Sequence, residues 1–226
     1  KINQLLKLKK FKHLKNLISI IRYKGENFDH NNKSLSLNCD LRVIWGGDNT
    51  INKIREYKIR PHATDITFGD RYSISIINLE KLKNISNKKL MKLVRFFYND
   101  TYLVDQNACS SPHLILWYGK KNINIQSKFW KKLKNKVDSS YDIPMNAITE
   151  KYSKYCKDIT KDYFKNGNIY GQGVYVIQLK KLINEIENLR GKWGYFYEYT
   201  INDLNKISKF INKKFQTVSY YGFDKK

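Results

Sequence analysis

At 226 residues, with 41% hydrophobic and 14% aromatic side chains, the chain can bury a substantial core, which excludes a disordered polymer. It has no apolar run near the roughly 18 residues of a membrane-spanning helix, and its opening KINQLLKLKKFKHLKNLISII lacks the compact apolar stretch and cleavage site of a secretory leader. The formal charge of +23 is mostly lysine spread along every segment, without arginine clustered beside aromatics, so the composition predicts solvated faces and a field favouring anionic cofactors rather than a nucleic-acid surface.

In chain order, residues 2–17 have helix-like apolar spacing among many lysines, and residues 17–21 (LISII) read as a short buried strand. Residues 25–37 are polar and loop-like, with room for a helical turn. Leu41–Trp45 is a compact apolar strand that runs into Gly46-Gly47-Asp48-Asn49-Thr50, and residues 51–59 fit an amphipathic helix. Strand, glycine turn and helix together can hold a phosphate at a helix N-terminus, although a tight turn explains two glycines equally well. Residues 63–68 and the alternating 74–77 are strand-like, and residues 87–98 have the spacing of a helix. Next come a strand-like 101–104, the polar stretch DQNACSSPH, and a strand at 114–118. Helices are expected at 127–137 and 147–164, separated by Pro144, then a strand at 173–179 and a helix at 180–189. A strand at 193–200, a helix at 202–212 and a strand at Phe215–Tyr221 complete the alternation, which predicts an α/β protein with a mainly parallel sheet.

The three cysteines show no CxxC and no paired spacing, so neither a disulfide framework nor a zinc site is suggested, and the chain reads as reduced and cytoplasmic. Cys39 and Cys156 read as small structural side chains. Cys109 differs in its company. It lies among Asn107, Ala108, Ser110 and Ser111, at an exit expected between two strands, where a carbonyl carbon could reach the sulfur. His113 is the nearest titratable candidate to return a proton. The residues alone leave open whether its ring faces the sulfur or the backbone. His62, Asp105 and the pair Asp70-Arg71 have weaker claims.

The stretches VIWGGDNTINKIRE (43–56), DITFGDRYSISIIN (65–78) and FYNDTYLVDQNACSSPHLILWYG (97–119), with a fainter match at 190–222, resemble LuxC-type acyl-CoA reductases, the long-chain fatty-acid reductase branch of the aldehyde dehydrogenase superfamily. The resemblance implies a partial three-layer aldehyde dehydrogenase-like fold. Residues 1–79 would be the C-terminal part of a Rossmann-like NADP-binding domain, and residues 80–226 a thiol-bearing catalytic domain incomplete at its C-terminus. It implies NADPH-dependent reduction of a fatty acyl thioester, from acyl-CoA or an acyl-protein, to an aldehyde. Cys109 would be the nucleophile, with Trp45, Gly46, Gly47 and Asp48 against the cofactor pyrophosphate and Phe68 and Gly69 on the nicotinamide side. Thr67 stands where oxidising relatives carry the glutamate that activates water, and its loss suits reduction.

Family members are longer at both ends, so the resemblance also implies that an earlier βαβ unit, an oxyanion-hole asparagine and a C-terminal segment are missing. It implies acyl-protein synthetase and acyl-transferase partners, as in light-emitting systems, and homo-oligomers at full length. The alternative is an inactive remnant that acts as an interaction module.

Overall fold

The computed structural model describes residues 2–23, 25 and 28–224. The chain divides into two compact units, residues 1–69 and 70–226.

The first unit contains α1 (Ile2–Leu5), a 3-10 segment (Lys9–Leu14), α2 (Phe28–Leu37), β1 (Leu41–Trp45), α3 (Asp48–Arg55) and β2 (Thr64–Phe68). β1 and β2 pair in parallel, from Leu41 opposite Thr64 to Trp45 opposite Phe68. Arg42 ties this ladder to the helices. Its Nε and Nη2 donate to the two carboxylate oxygens of Asp65 at 2.6 and 2.7 Å, and its Nη1 donates to Ser36 Oγ, Ile54 O and Tyr57 O. The Arg42 hydrogen bonds hold the Asp65 carboxyl below its usual range, against the opposing effect of burial. A depressed carboxyl stabilises the fold above its unfolded pKa, and that contribution is lost as pH falls through the folded value. Arg42→Ala leaves a mostly buried carboxylate with only its longer 3.7 Å contact to the half-exposed Arg55 and should cost roughly 3 kcal/mol. Hydrogen exchange at the β1 and β2 amides will read this as earlier opening, with a weaker dependence on acid than in the parent chain.

The second unit follows the order β3 (Tyr72–Asn78), α4 (Leu79–Lys83), α5 (Asn87–Thr101), a 3-10 turn (Tyr102–Val104), β4 (Pro112–Tyr118), α6 (Ile123–Asp138), α7 (Met145–Asp158), β5 (Phe164–Tyr170), β6 (Val174–Leu179), β7 (Tyr195–Ile201), α8 (Asn205–Ser208) and β8 (Phe215–Tyr221). The sheet order is β5-β6-β7-β4-β3-β8, with every pairing parallel except β5 with β6. Central parallel strands are covered on both faces, which explains the near-continuous apolar runs of β4 and β7. Ile115, Trp117 and Phe196 meet the apolar faces of α5 and α6 on one side, while Leu114, Leu116, Tyr195 and Tyr197 pack with Ile186, Leu189 and Ile207 on the other. Within the first layer the buried Glu198 accepts the indole N–H groups of Trp117 and Trp130, both at 2.8 Å. Burial raises its carboxyl pKa despite these two donors.

Several expectations are corrected. Residues 2–17 form a short helix and a 3-10 segment, because Leu6 is their one buried apolar side chain and a helix without a buried face gains little from lengthening. Residues 17–21 are neither buried nor paired: Leu17, Ile20 and Ile21 are more than half exposed, and no described strand offers them a ladder. The polar 28–37 segment is a helix, α2. Residues 101–104 finish α5 and turn as a 3-10 segment, so Cys109 lies between a helix and a strand. The helix expected to reach residue 164 stops at Asp158, and β5 follows as an edge strand. The helices expected at 180–189 and 202–212 shrink to a 3-10 turn (Ile186–Asn188) and to α8. β3, which the resemblance placed with residues 1–79, lies in the second compact unit through its ladders with β4 and β8.

Candidate active site

The Cys109 loop begins where α5 runs out. After the 3-10 turn, Asp105 (φ 54°) and Gln106 (φ 59°) both take the left-handed conformation, which costs a non-glycine residue about 1 kcal/mol or more. Hydrogen bonds hold them there. The buried Gln106 side chain donates to Pro112 O and Tyr195 O, at 3.1 and 3.0 Å, and accepts from the N–H groups of Gly194 and Tyr195, at 3.1 and 3.0 Å. The Asp105 carbonyl accepts from Trp193 N–H, and its carboxylate accepts from Tyr141 Oη at 2.5 Å. Trp193 is itself left-handed (φ 53°), so three strained residues brace one another across the base of the loop. Gly194 follows at φ 82°, where an added Cβ would lie 2.1 Å from Gly173 O, so no other residue fits without movement.

Cys109 is a free, half-buried thiol at the end of this brace. Ser73 Oγ of β3 donates to its carbonyl at 2.6 Å, and Ser111 Oγ donates to Asp100 O at 2.6 Å. The backbone N–H groups of Cys109 and Ser110 are not taken up by any hydrogen bond within the described residues. The thiol opens on a cleft of about 980 Å³ whose walls include His113, Lys151, Asp158, Arg190 and Trp193.

His113 lies at the start of β4, stacked on Tyr72 with ring centroids 5.5 Å apart, and its Nδ1 accepts the Gly191 N–H at 3.3 Å. Burial, reinforced by the Arg190 charge, lowers its pKa to about 3. The imidazole is therefore neutral at physiological pH, with its proton on Nε2. Because the folded value lies below the unfolded one, protonation opposes folding, and His113 weakens the fold as pH falls below the free imidazole range. Its ring-carbon NMR shifts should stay flat from pH 8 to pH 5.

Two charged residues on the inner face of α7 escaped the sequence reading. Lys151 is buried and donates to Gln172 O and, at 2.8 Å, to Trp193 O, with its pKa lowered to about 7 by burial. Asp158 accepts from the hydroxyls of Tyr195 (2.7 Å), Tyr197 (2.6 Å) and Tyr163 (3.1 Å), with Lys154 at 3.3 Å. The signal for both was spacing. Together with the buried Ala147 they recur at the helical period, so two charges fall on the face that must pack. Gln106 gave no such signal, because its role depends on a left-handed backbone that composition does not reveal.

The remaining sequence candidates gather in the first unit, at the C-terminal ends of β1 and β2. Trp45 stacks on Phe68 with centroids 4.7 Å apart, and Gly46 N–H donates to Phe68 O at 3.3 Å. Gly47 caps α3 and Asp48 opens its first turn. Gly47 has an ordinary φ of −68° and open space where a Cβ would stand, so nothing within the chain demands a glycine there. A phosphate approaching the first-turn N–H groups of α3 would meet no side chain at this position. Among the described residues no cluster of three His, Cys, Asp or Glu could hold a metal ion, and no helix is long and apolar enough to cross a membrane.

Among solved structures, lactaldehyde dehydrogenase from Escherichia coli matches with a TM-score of 0.54 at 12% identity, over 85% of this chain and 43% of that one. Aldehyde dehydrogenase from Brucella melitensis biovar abortus 2308 matches with a TM-score of 0.54 at 11% identity, over 85% of this chain and 42% of that one. The NAD-dependent aldehyde dehydrogenase of Sinorhizobium meliloti gives 0.52 at 12% identity, over 80% and 38%. The chain thus spans under half the length of the structures whose fold it shares. No curated protein matches its sequence. The family model described as "Acyl-CoA reductase (LuxC)" matches residues 2–166, most of the chain, and with the aldehyde dehydrogenase fold around Cys109 this makes the chain a member of the LuxC acyl-CoA reductase family.

Proposed function

We propose that this chain supplies the thiol chemistry of an NADPH-dependent reductase that converts a long-chain fatty acyl thioester, from acyl-CoA or an acyl-protein, to the fatty aldehyde. One observation carries the reading. Cys109 stands half-buried on a braced loop facing an open cleft, in a chain of the acyl-CoA reductase family.

The Cys109 thiolate attacks the thioester carbonyl carbon, a new C–S bond forms as the carrier's breaks, and the departing thiol takes up the proton that Cys109 released. The N–H groups of Cys109 and Ser110 supply donors for the developing oxyanion. His113 serves as a neutral hydrogen-bond donor through Nε2, since Nδ1 is engaged by Gly191. When bound, NADPH would supply the hydride that turns the acyl carbon into a hemithioacetal, whose collapse would release the aldehyde and return the thiolate to take up a proton. Gly46, Gly47 and the first turn of α3, which Asp48 opens, would hold the cofactor's pyrophosphate, with Trp45, Phe68 and Gly69 beside it. Thr67 offers no carboxylate to activate water, so the acyl-enzyme is spared hydrolysis at that position. Acyl-protein synthetase and acyl-transferase partners, homo-oligomers at full length and a cytoplasmic setting belong to the same reading.

The alternative reading is a catalytically inactive fragment or remnant of such an enzyme, acting at most as an interaction module. Intact-mass spectrometry with hexadecanoyl-CoA separates the two. Acyl uptake that NADPH discharges as hexadecanal supports the enzyme. Uptake that NADPH leaves in place supports the silent module, and no uptake overturns the thiol chemistry.

A further inference from the structure

We propose that the mouth of the Cys109 cleft is an anion subsite that holds the phosphate of a phosphorylated pantetheine carrier, the group that delivers the acyl thioester. This rests on the acyl-transfer reading above and adds the recognition element that it lacks.

The argument comes from counting which charges at the cleft are already engaged. Lys151 is committed to two carbonyls, and Lys154 to Asp158. Arg190 pairs with Asp70 at 3.1 Å and donates to Glu187 O and Arg71 O. Arg71, Lys157, Lys161 and Lys192 line the same cleft; Arg71 donates to Asp70 O and Lys192 stands over the Trp193 ring, which leaves Lys157 and Lys161 as the cations with no side-chain partner among the described residues. Lys157 is exposed in the last turn of α7, and Lys161 is exposed in the turn that follows the helix. Asp158, the acid at this end of α7, is saturated by three tyrosines and Lys154.

A comparable lysine row on α6 (Lys128, Lys131, Lys132) has no nucleophile beside it, which separates the cleft from the chain's general lysine content. A thiol inside a cleft and unpaired cations at its mouth match a ligand with a thioester at one end of a flexible arm and a phosphate at the other. Both free coenzyme A and a carrier protein's prosthetic group present that chemistry. Desolvated only in part, such cations act mainly by steering and orienting the donor, so the effect belongs in the rate of acyl transfer.

The test is the rate of Cys109 acylation without cofactor, followed by intact mass, using hexadecanoyl-pantetheine, hexadecanoyl-phosphopantetheine and hexadecanoyl-CoA. The parent chain should prefer the phosphorylated donors by at least about tenfold. In Lys157→Glu/Lys161→Glu that ratio should fall to near one, while Lys131→Glu/Lys132→Glu, with the same change in net charge, should keep it. Equal preference for phosphopantetheine and CoA supports the subsite and allows a carrier-protein donor. Preference for CoA alone, lost in the rim variant, supports it with free CoA as the source. An absent preference in the parent chain, or one that survives the rim substitutions, overturns the subsite and leaves the acyl-transfer reading standing. Failure of all three donors overturns both.

Discussion

Cys109→Ala is expected to lower acyl uptake from a fatty acyl thioester by about 10⁴-fold or more, the scale on which enzymes lose activity when a covalent nucleophile is removed. The chain contains its own controls. Cys156 is more exposed than Cys109, and Cys39 is half-buried with its S–H directed at Ser36 O. If exposure alone governed reaction with a thioester, Cys156 would carry the label. Cys156 lies within α7, away from any loop that offers free backbone donors beside the sulfur. Peptide mapping after a single exposure to hexadecanoyl-CoA should therefore find the acyl group at Cys109, and Cys156→Ala should change nothing. Labelling that moves with Cys156 would remove Cys109 from its role.

Gln106→Ala should produce the second large effect. Truncation strips the partners from four buried backbone groups: Pro112 O, Tyr195 O, Gly194 N–H and Tyr195 N–H. Each unsatisfied group costs about 1–3 kcal/mol before relaxation, so a loss of about 4 kcal/mol in unfolding free energy is expected. The strained backbone at Asp105 and Gln106 would then have lost its main restraint, and the thiol its position. Acylation should fall well beyond what the loss of folded protein explains. Gln106→Gly separates the two contributions, because glycine relieves the left-handed strain while still removing the side-chain bonds. It should recover part of the stability and little of the acylation rate. Urea titration gives the first quantity and single-turnover mass spectrometry the second.

The parts of this fold that were legible in the sequence are those where one periodicity dominates. β4 and β7 read as strands because parallel strands at a sheet centre are apolar on both faces, and α5 and α6 because their stripes recur at the helical period. β5 was hidden because FKNGNIY has almost no strand-forming character. It is an edge strand held by its hairpin to β6, and Gly167 is required there because the Tyr155 ring of α7 occupies the space a Cβ would take. The 101–104 segment misled for the opposite reason. Its Tyr, Leu and Val suit a strand, but Tyr102 is drawn into the core against Tyr98 and Phe196, and the chain must turn. At the site, Cys109 and His113 were legible as candidates and Lys151 and Asp158 showed only as charges on the packing face of α7, whereas Gln106 acts through hydrogen bonds to residues remote in sequence, which no local pattern encodes.

The placement of the indole rings has a spectroscopic consequence. Trp45 is the first unit's one tryptophan, 73% exposed and stacked on Phe68, while Trp117 and Trp130 share the buried Glu198 in the core of the second. Emission from Trp45 will lie toward the red and be open to iodide quenching, and emission from the buried pair will lie toward the blue and be shielded. The half-buried Trp193 on the cleft wall adds a third environment, so in Trp193→Phe the red emission should report a dinucleotide bound at the proposed Gly46-Gly47 site and the blue emission the melting of the thiol-bearing unit.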